Sequence, residues 1–300
     1  RDGCQSEQSV VPGVDFSSVG DIFSATSNRD RKRPFDMRSV MRAVADFDRE
    51  PLERWGRWRG AENAVVWDAV VGGTPVGMLG IESYPVPRRG YIPADGPMSW
   101  TAGTLFPQAS RKVARAVNAI GGARPLVVLA NLSGFDGSPE SMRHWQLEYG
   151  AEIGRAVTNF SGPIVFVVIS RYHGGAFVVF SKALNPQLQI AAVAGSYASV
   201  IGGAPAAATV FAREVRTRVR QDPRLAGTSA ASHSDSASAS ASASEEELRS
   251  EHLGRAAEEF DAIHTIERAL EVGSVDQIIE PADIRPWVIE ALRRGMAEAR

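Results

Sequence analysis

Apolar positions recur along this chain in two patterns. Residues 64–71, Ala-Val-Val-Trp-Asp-Ala-Val-Val, read as a strand, Gly72-Gly73 as a hairpin turn, and Thr74 to Ile81 as the returning strand. Pro125 to Ala130 and Pro163 to Ile169 are short unbroken apolar runs, the pattern of strands buried on both faces. Ile190 to Ala194 reads as a further strand. The second pattern is helical. Val40, Met41, Val44 and Phe47 recur at helical spacing behind an N-cap at Asp36 or Ser39. Val113, Ala116, Val117 and Ile120 mark one face of a helix over 106–121. Further helices are predicted from about Pro139 to Phe160, over 205–220, from 248 to 272 with Gly273 as its stop, and over 282–298. Strand, loop and helix succeeding one another in this way predict an α/β architecture.

The stretches between these elements set the domain organisation. Residues 1–27 carry scattered Gly, Ser and Pro and read as a flexible N-terminal segment. Residues 28–38 are strongly basic, and 84–99 are a loop rich in Pro and Gly. Residues 227–244 are nearly pure Ser and Ala and have little to bury, so 227–247 is expected to be a disordered insert. The expected organisation is one domain over 28–226, interrupted there and completed by helices within 248–300.

Composition narrows the class. A length of 300 residues with 44% hydrophobic and 23% charged residues is ordinary for a globular chain that buries a sizeable core. A formal net charge of −2 gives no support for a nucleic-acid partner. No run of about 18 apolar residues is present, so no membrane span is expected, and the start has no signal-peptide pattern. Cys4 is the only cysteine, which leaves neither a disulfide framework nor a cysteine-rich zinc site, and no metal site is expected. Together these point to the cytoplasm as the expected location. The chain opens on Arg1 rather than Met, which reads as a piece of a longer polypeptide or a processed chain.

Several short motifs then fall in a telling order: Ile-Pro-Ala-Asp (92–95), Val-Leu-Ala-Asn-Leu-Ser-Gly-Phe-Asp-Gly (128–137), Glu-Tyr-Gly-Ala (148–151), His-Gly-Gly-Ala-Phe (173–177), Leu-Asn-Pro-Gln (184–187), Gly202-Gly203 and Glu271 to Ile279. In this order the chain resembles the C-terminal half of the carboxyltransferase domain of biotin-dependent acyl-CoA carboxylases, nearest the single-chain acetyl-CoA carboxylase type. The resemblance covers roughly 28–220 and 253–293. It implies a crotonase-like (ClpP/crotonase) spiral of ββα units. The function it implies is transfer of CO2 from carboxybiotin to a short acyl-CoA: acetyl-CoA to malonyl-CoA, or propionyl-CoA to methylmalonyl-CoA.

That chemistry develops negative charge on the ureido oxygen of biotin and on the thioester oxygen of the acyl-CoA. Each needs a pair of fixed N–H donors in a dry site. Backbone amides at a helix N-terminus supply such donors, and a Gly-Gly turn lets a ligand approach them without obstruction. By resemblance the amides of Gly175 and Ala176 form the oxyanion hole for biotin. The released biotin enolate then takes the α-proton, so no catalytic His or carboxylate is required. Gly134, Phe135, Gly137, Gly174, Phe177, Val178, Gly202 and Gly203 are the implied substrate- and biotin-binding positions. Taken alone, Gly174-Gly175 also fits a plain tight turn, Gly202-Gly203 fits a turn equally well, and Phe177 and Val178 fit core positions.

His173 invites a reading as a general base, but its place before the glycines fits a loop residue better. Arg171 reads as a solvated arginine, and Arg29 to Arg33 as a solvated run. Half an active site is what the resemblance predicts, because the family's N-terminal half holds the CoA. The partners implied are therefore that N-terminal half, the biotin carboxylase and biotin carrier domains, and a second copy in a homodimer or larger assembly. The cofactor is biotin carried elsewhere, with a CoA thioester as substrate. The rival readings are a crotonase-fold hydratase or isomerase and a non-catalytic structural half of a carboxylase assembly.

Overall fold

Successive side chains of a strand point to opposite faces, so a strand that is apolar at every position needs a layer on each side. The central strands of this protein meet that condition. A computed structural model describes residues 19–24, 26, 28, 33–94, 96–224 and 235–298, with backbone alone for Val19 and 235–244. Cys4, Asp95, Arg29 and residues 225–234 lie outside the described residues.

The strands are β1 (Leu52–Glu53), β2 (Ala64–Val71), β3 (Thr74–Ile81), β4 (Val86–Pro87), β5 (Ser99–Trp100), β6 (Thr104–Leu105), β7 (Leu126–Leu132), β8 (Gly134–Phe135), β9 (Ile164–His173), β10 (Leu188–Val193), β11 (Tyr197–Ser199) and β12 (Gln277–Ile279). The helices are α1 (Val19–Phe23), α2 (Met37–Val44), α3 (Pro107–Ile120), α4 (Pro139–Arg143), α5 (Gln146–Thr158), α6 (Gly174–Val179), α7 (Gly203–Thr209), α8 (Ala212–Gln221), α9 (Asp235–Ile263), α10 (Ile266–Glu271) and α11 (Ile284–Glu298). The chain forms two compact units, one of Arg1–Val200 with Ile266–Arg300 and one of Ile201–Thr265.

The first unit holds the main sheet, ordered β1-β2-β3-β7-β9-β10-β12, with β11 added to the end of β9. The β1-β2-β3 edge is antiparallel. From β3 through β12 every pairing is parallel. Along β9, Ile164, Phe166 and Val168 face one core while Val165, Val167 and Ile169 face the other. The first core is closed by α3, α5 and α6 through Val113, Val117, Ile153, Val157 and Val179. The second is closed by α2 and α11 through Met37, Met41, Val288 and Leu292. A mixed α/β fold with a largely parallel sheet results, as the alternation of strand and helix signals predicts.

Local chemistry explains the element ends. Asp36 caps α2, accepting from the N–H groups of Arg38 (3.2 Å) and Ser39 (3.0 Å). The Gly72-Gly73 hairpin is held by Asp46, whose carboxylate accepts both glycine N–H groups at 2.8 Å and pairs with Arg285 at 2.6 Å. The helix expected over 139–160 is two helices, because Trp145 takes the left-handed conformation (φ 69°) between α4 and α5. Phe47, expected on the buried face of α2, is 83% exposed because α2 stops at Val44.

The second unit is helical. Ala207, Val215, Val219, Leu248 and Ala256 form its core. Arg218 joins Glu214 on α8 to Glu259 on α9. The unit spans Ile201–Thr265. Of the tract expected to be disordered, 227–234 lies outside the described residues, and from Asp235 the backbone is helical. Alanine is the strongest helix former, and propagating an existing helix is far easier than nucleating one, so the tract prolongs the helix of 245–263.

One packing contact tests this arrangement. A Cβ on Gly77 of β3 would overlap the side chain of Ile120 at the end of α3. Gly77→Ala is expected to destabilise the protein by about 1–3 kcal/mol, the usual penalty for overpacking a dense core. Urea unfolding measures it, and an unchanged midpoint would contradict the close contact of β3 with α3.

Candidate active site

The site is built where β9 ends. The parallel ladder between β7 and β9 slips between Ala130 and Leu132, so that Leu132 pairs with Tyr172. On the other side β11 pairs Tyr197, Ala198 and Ser199 with Arg171, Tyr172 and His173. The N–H of Gly174 then donates to Val200 O at 2.9 Å. The last residues of β9 are thus fixed from both sides up to the first residue of α6.

Tyr172 anchors the α6 turn. It is 1% exposed, and its ring centroid lies 4.8 Å from those of both Phe166 and Phe177. Its hydroxyl donates to the carbonyls of Phe180 and Phe177, tying the turn to the strand before it. Burial pushes that hydroxyl above the ordinary tyrosine range, so it stays a donor.

Two glycines make the close approach. Gly134 (φ 122°) and Gly174 (φ 64°) occupy backbone regions that favour glycine. A Cβ on Gly174 would lie 3.0 Å from the Cα of Gly134, so the backbones of β8 and α6 meet directly. The Phe135 ring lies against Gly175, where any Cβ would overlap it, and against Gly150, where a Cβ would sit 2.6 Å from Cε2. Gly134, Phe135, Gly174 and Gly175 therefore come together as one junction, with Gly150 of α5 as a further member. Ala176 is next in the turn, with its side chain fully buried. The first turn of a helix leaves its N–H groups without intrahelical partners. No side chain caps α6, so the amides of this turn stand at a junction that is half-buried at Gly174 and Gly175.

The remaining expected positions separate. Phe177 is half-buried against Tyr172, which makes it part of the anchor. Val178 is 54% exposed. Gly137 is exposed, with nothing within 4 Å of where a Cβ would stand. Gly202 and Gly203 open α7 of the second unit, where Gly203 donates its N–H to Asp261 Oδ1 at 2.9 Å. His173 is buried with Nδ1 3.0 Å from Ser199 Oγ, a structural pairing at the strand end. Among the described residues no group of three or more His, Cys, Asp or Glu could hold a metal ion.

A buried ionic network behind the junction has no counterpart in the sequence expectations. Glu82 is fully buried, accepts from the N–H of Met37 (3.0 Å) and pairs with Arg38, which also grips Glu53. Its own carbonyl accepts from Gly103 (2.9 Å), and Gly103 O accepts from Ser133 (2.8 Å), the residue before Gly134. Burial pushes the Glu82 carboxyl up to about 7 in spite of Arg38. The only signal in the sequence is one acid closing an apolar strand, which does not announce a partner 44 residues away.

Known proteins share both sequence and fold with this chain. A family model described as "Carboxyl transferase domain" matches residues 7–300. Acetyl-CoA carboxylase of Saccharomyces cerevisiae is 31% identical over 165 residues, 51% of this chain and 7% of that protein. Acetyl-CoA carboxylase of Schizosaccharomyces pombe is 32% identical over 179 residues, 55% of this chain and 8% of that protein. Among solved structures, transcarboxylase 12S with methylmalonyl-coenzyme A and methylmalonic acid bound superposes with a TM-score of 0.64 at 24% identity, over 90% of this chain and 43% of that one. The beta subunit of geranyl-CoA carboxylase from P. aeruginosa gives a TM-score of 0.65 at 22% identity, with the same coverage. These two share the fold. The chain spans under a tenth of the curated relatives and less than half of the solved chains.

The Glu82 carboxyl makes stability depend on pH with a definite sign. Its folded value, about 7, lies above the ordinary 4.5. The folded state therefore holds this proton more tightly, and the contribution is full below pH 4.5 and lost as pH rises through 7. Unfolding free energy is expected to fall by ~3 kcal/mol more between pH 4.5 and 8 in the parent protein than in Glu82→Gln. Parallel urea titrations of the two proteins measure it, and identical pH profiles would contradict the assignment.

Proposed function

Because the chain belongs to the carboxyl transferase domain family, we propose that it supplies the biotin-facing half of a carboxyltransferase site that moves CO2 from carboxybiotin to a short acyl-CoA. The observation that carries this is the close-packed junction of Gly134, Gly174 and Gly175 at the end of β9, which seats the start of α6, a turn that no side chain caps. Carboxybiotin, brought by a carrier domain, supplies the CO2. In the proposed mechanism the N–H groups of Gly175 and Ala176 would donate hydrogen bonds to the ureido oxygen and so stabilise the negative charge it takes on as CO2 leaves. Fixed amide dipoles in a water-poor site do this without reorganisation. Tyr172 and Phe135 set the position of the turn: the first ties its far end to β9, the second packs on Gly175. Gly134 keeps the opposing backbone close.

No side-chain base is assigned: the α-proton of the acyl-CoA would pass to the biotin released as CO2 leaves, so His173, whose Nδ1 lies 3.0 Å from Ser199 Oγ, is given a structural part. The proposed fold is the crotonase-like spiral, a reading supported by the likeness to the two solved carboxyltransferase chains. The acetyl-CoA type is favoured by relatives named acetyl-CoA carboxylase, with propionyl-CoA the alternative acceptor. In this reading the acyl-CoA enolate is held by a complementary N-terminal half, biotin carboxylase and carrier functions lie on other domains, and the working form is a cytoplasmic homodimer or larger assembly. Gly137, Phe177 and Val178 stay as proposed pocket positions of lower rank than the junction, and Gly202 and Gly203 belong to the second unit.

The test is carboxyl transfer from malonyl-CoA to free biotin, with the chain alone and co-expressed with its complementary half. Activity is expected only in the co-expressed sample. Gly175→Val keeps the N–H, but its side chain would overlap the Phe135 ring and displace the turn that aims these amides; a loss of about 100-fold or more in kcat is expected, the size of effect seen when an oxyanion donor is lost. Retained activity in a folded Gly175→Val enzyme would contradict the assignment. Inactivity of a properly associated pair would favour a structural role.

A further inference from the structure

A recess in the first unit shares no residue with the glycine junction. It is a cavity of about 330 Å³ bounded by the 88–93 loop, Trp100, the first turn of α3 and residues of α4. That volume is in the range of small-ligand sites. Its charge is uneven. Arg88 is consumed internally: its guanidinium bonds both oxygens of Glu140 (3.0 and 2.8 Å) and the carbonyl of Pro97 (3.1 Å), and lies 4.3 Å from the centre of the Trp100 ring. This pair forms a rigid, neutral wall. The other two arginines lining the cavity, Arg59 and Arg89, are exposed and make no ion pair or hydrogen bond among the described residues. Gly90, beside Arg89, lies next to the Arg59 stem, since a Cβ on Gly90 would be 3.9 Å from Arg59 Cδ. The two unspent cations therefore come from adjacent chain segments.

The opposite wall adds to the same sign. Pro107 and Gln108, the first residues of the 14-residue helix α3, line the cavity, and Phe106 at its N-cap provides no side-chain cap. The Gln108 side chain is turned to Trp58 Nε1 (3.3 Å), so it does not cap the turn either. The positive end of the α3 dipole and two unpaired guanidinium groups border one recess, with Ser141 also on its lining. Among the described lining residues the only carboxylate, Glu140, is already bidentate to Arg88.

We propose that this cavity binds a small polyanion of the phosphate class, held by Arg59 and Arg89 against the start of α3. Inorganic pyrophosphate and the phosphates of a nucleotide ester offer the same chemistry, and the test separates them. Isothermal titration of the intact chain is run with pyrophosphate and with adenosine 3′,5′-bisphosphate, on the parent and on an Arg59→Ala/Arg89→Ala double variant. Saturable 1:1 binding of at least one probe is expected, weakened about 10-fold or more in the double variant and weakened again as salt rises. Thermal unfolding without ligand should be unchanged, since neither arginine has a partner to lose among the described residues. A nucleotide that binds about 10-fold tighter than pyrophosphate identifies an ester as the occupant; equal or tighter pyrophosphate binding identifies the free anion. Absence of saturable binding by both probes, or binding that the double variant leaves intact, would overturn the proposal. Neither result bears on the Gly175 assay, so the two readings fail separately.

Discussion

Two peptide backbones meet at Gly134 and Gly174, and much of the proposed site depends on that contact. A single methyl group on Gly174 would sit 3.0 Å from the facing Cα. The contact requires β8 to leave β7 in a direction open to glycine, and β9 to end in the conformation that Gly174 adopts. It also sets the start of α6, and so the direction of the amides in its first turn. Phe135 extends the same constraint outward, because its ring takes the space left by absent side chains at Gly175 and Gly150.

The surroundings hold this contact still. The parallel sheet is buried on both faces, so β7 and β9 cannot shift without disturbing two cores. Tyr172 fastens the turn from below through carbonyls of α6 and the residue after it. From the β3 side, the backbone path Glu82–Gly103–Ser133 leads to the residue preceding Gly134. Glu82 is itself clamped by Arg38 and the N–H of Met37. A buried ion pair of this kind adds little net stability compared with apolar packing. Its place behind the junction makes it a positioning device more than a source of stability.

Elements whose cause is local were legible in the sequence. The β2–β3 hairpin has the predicted bounds, 64–71 and 74–81, because Gly72-Gly73 and the apolar strands are local signals. β7, β10, α3 and α11 lie within a few residues of expectation for the same reason. What depends on distant partners was not legible. β9 runs on to His173 rather than stopping near Ile169 because β11 and Leu132 pair with its end. β12 was missed because Gln277 to Ile279 form a strand only beside β10. The glycine pair at 174–175 was visible, but its contact with Gly134 and Phe135 joins segments some 40 residues apart. Gly137 ends one of the motifs and Val178 follows another, yet both stand exposed, since a motif does not say which residues the fold turns outward.

The central claim is that the first amides of α6 are the groups that meet biotin. The most direct measurement is a titration of the 15N-labelled chain with biotin, following the amide resonances of Gly175 and Ala176. The account predicts saturable downfield shifts of both, larger than those of Gly137 and absent when biotin is replaced by an analogue lacking the ureido oxygen. Biotin-dependent shifts confined to other amides, with Gly175 and Ala176 unmoved, would contradict it.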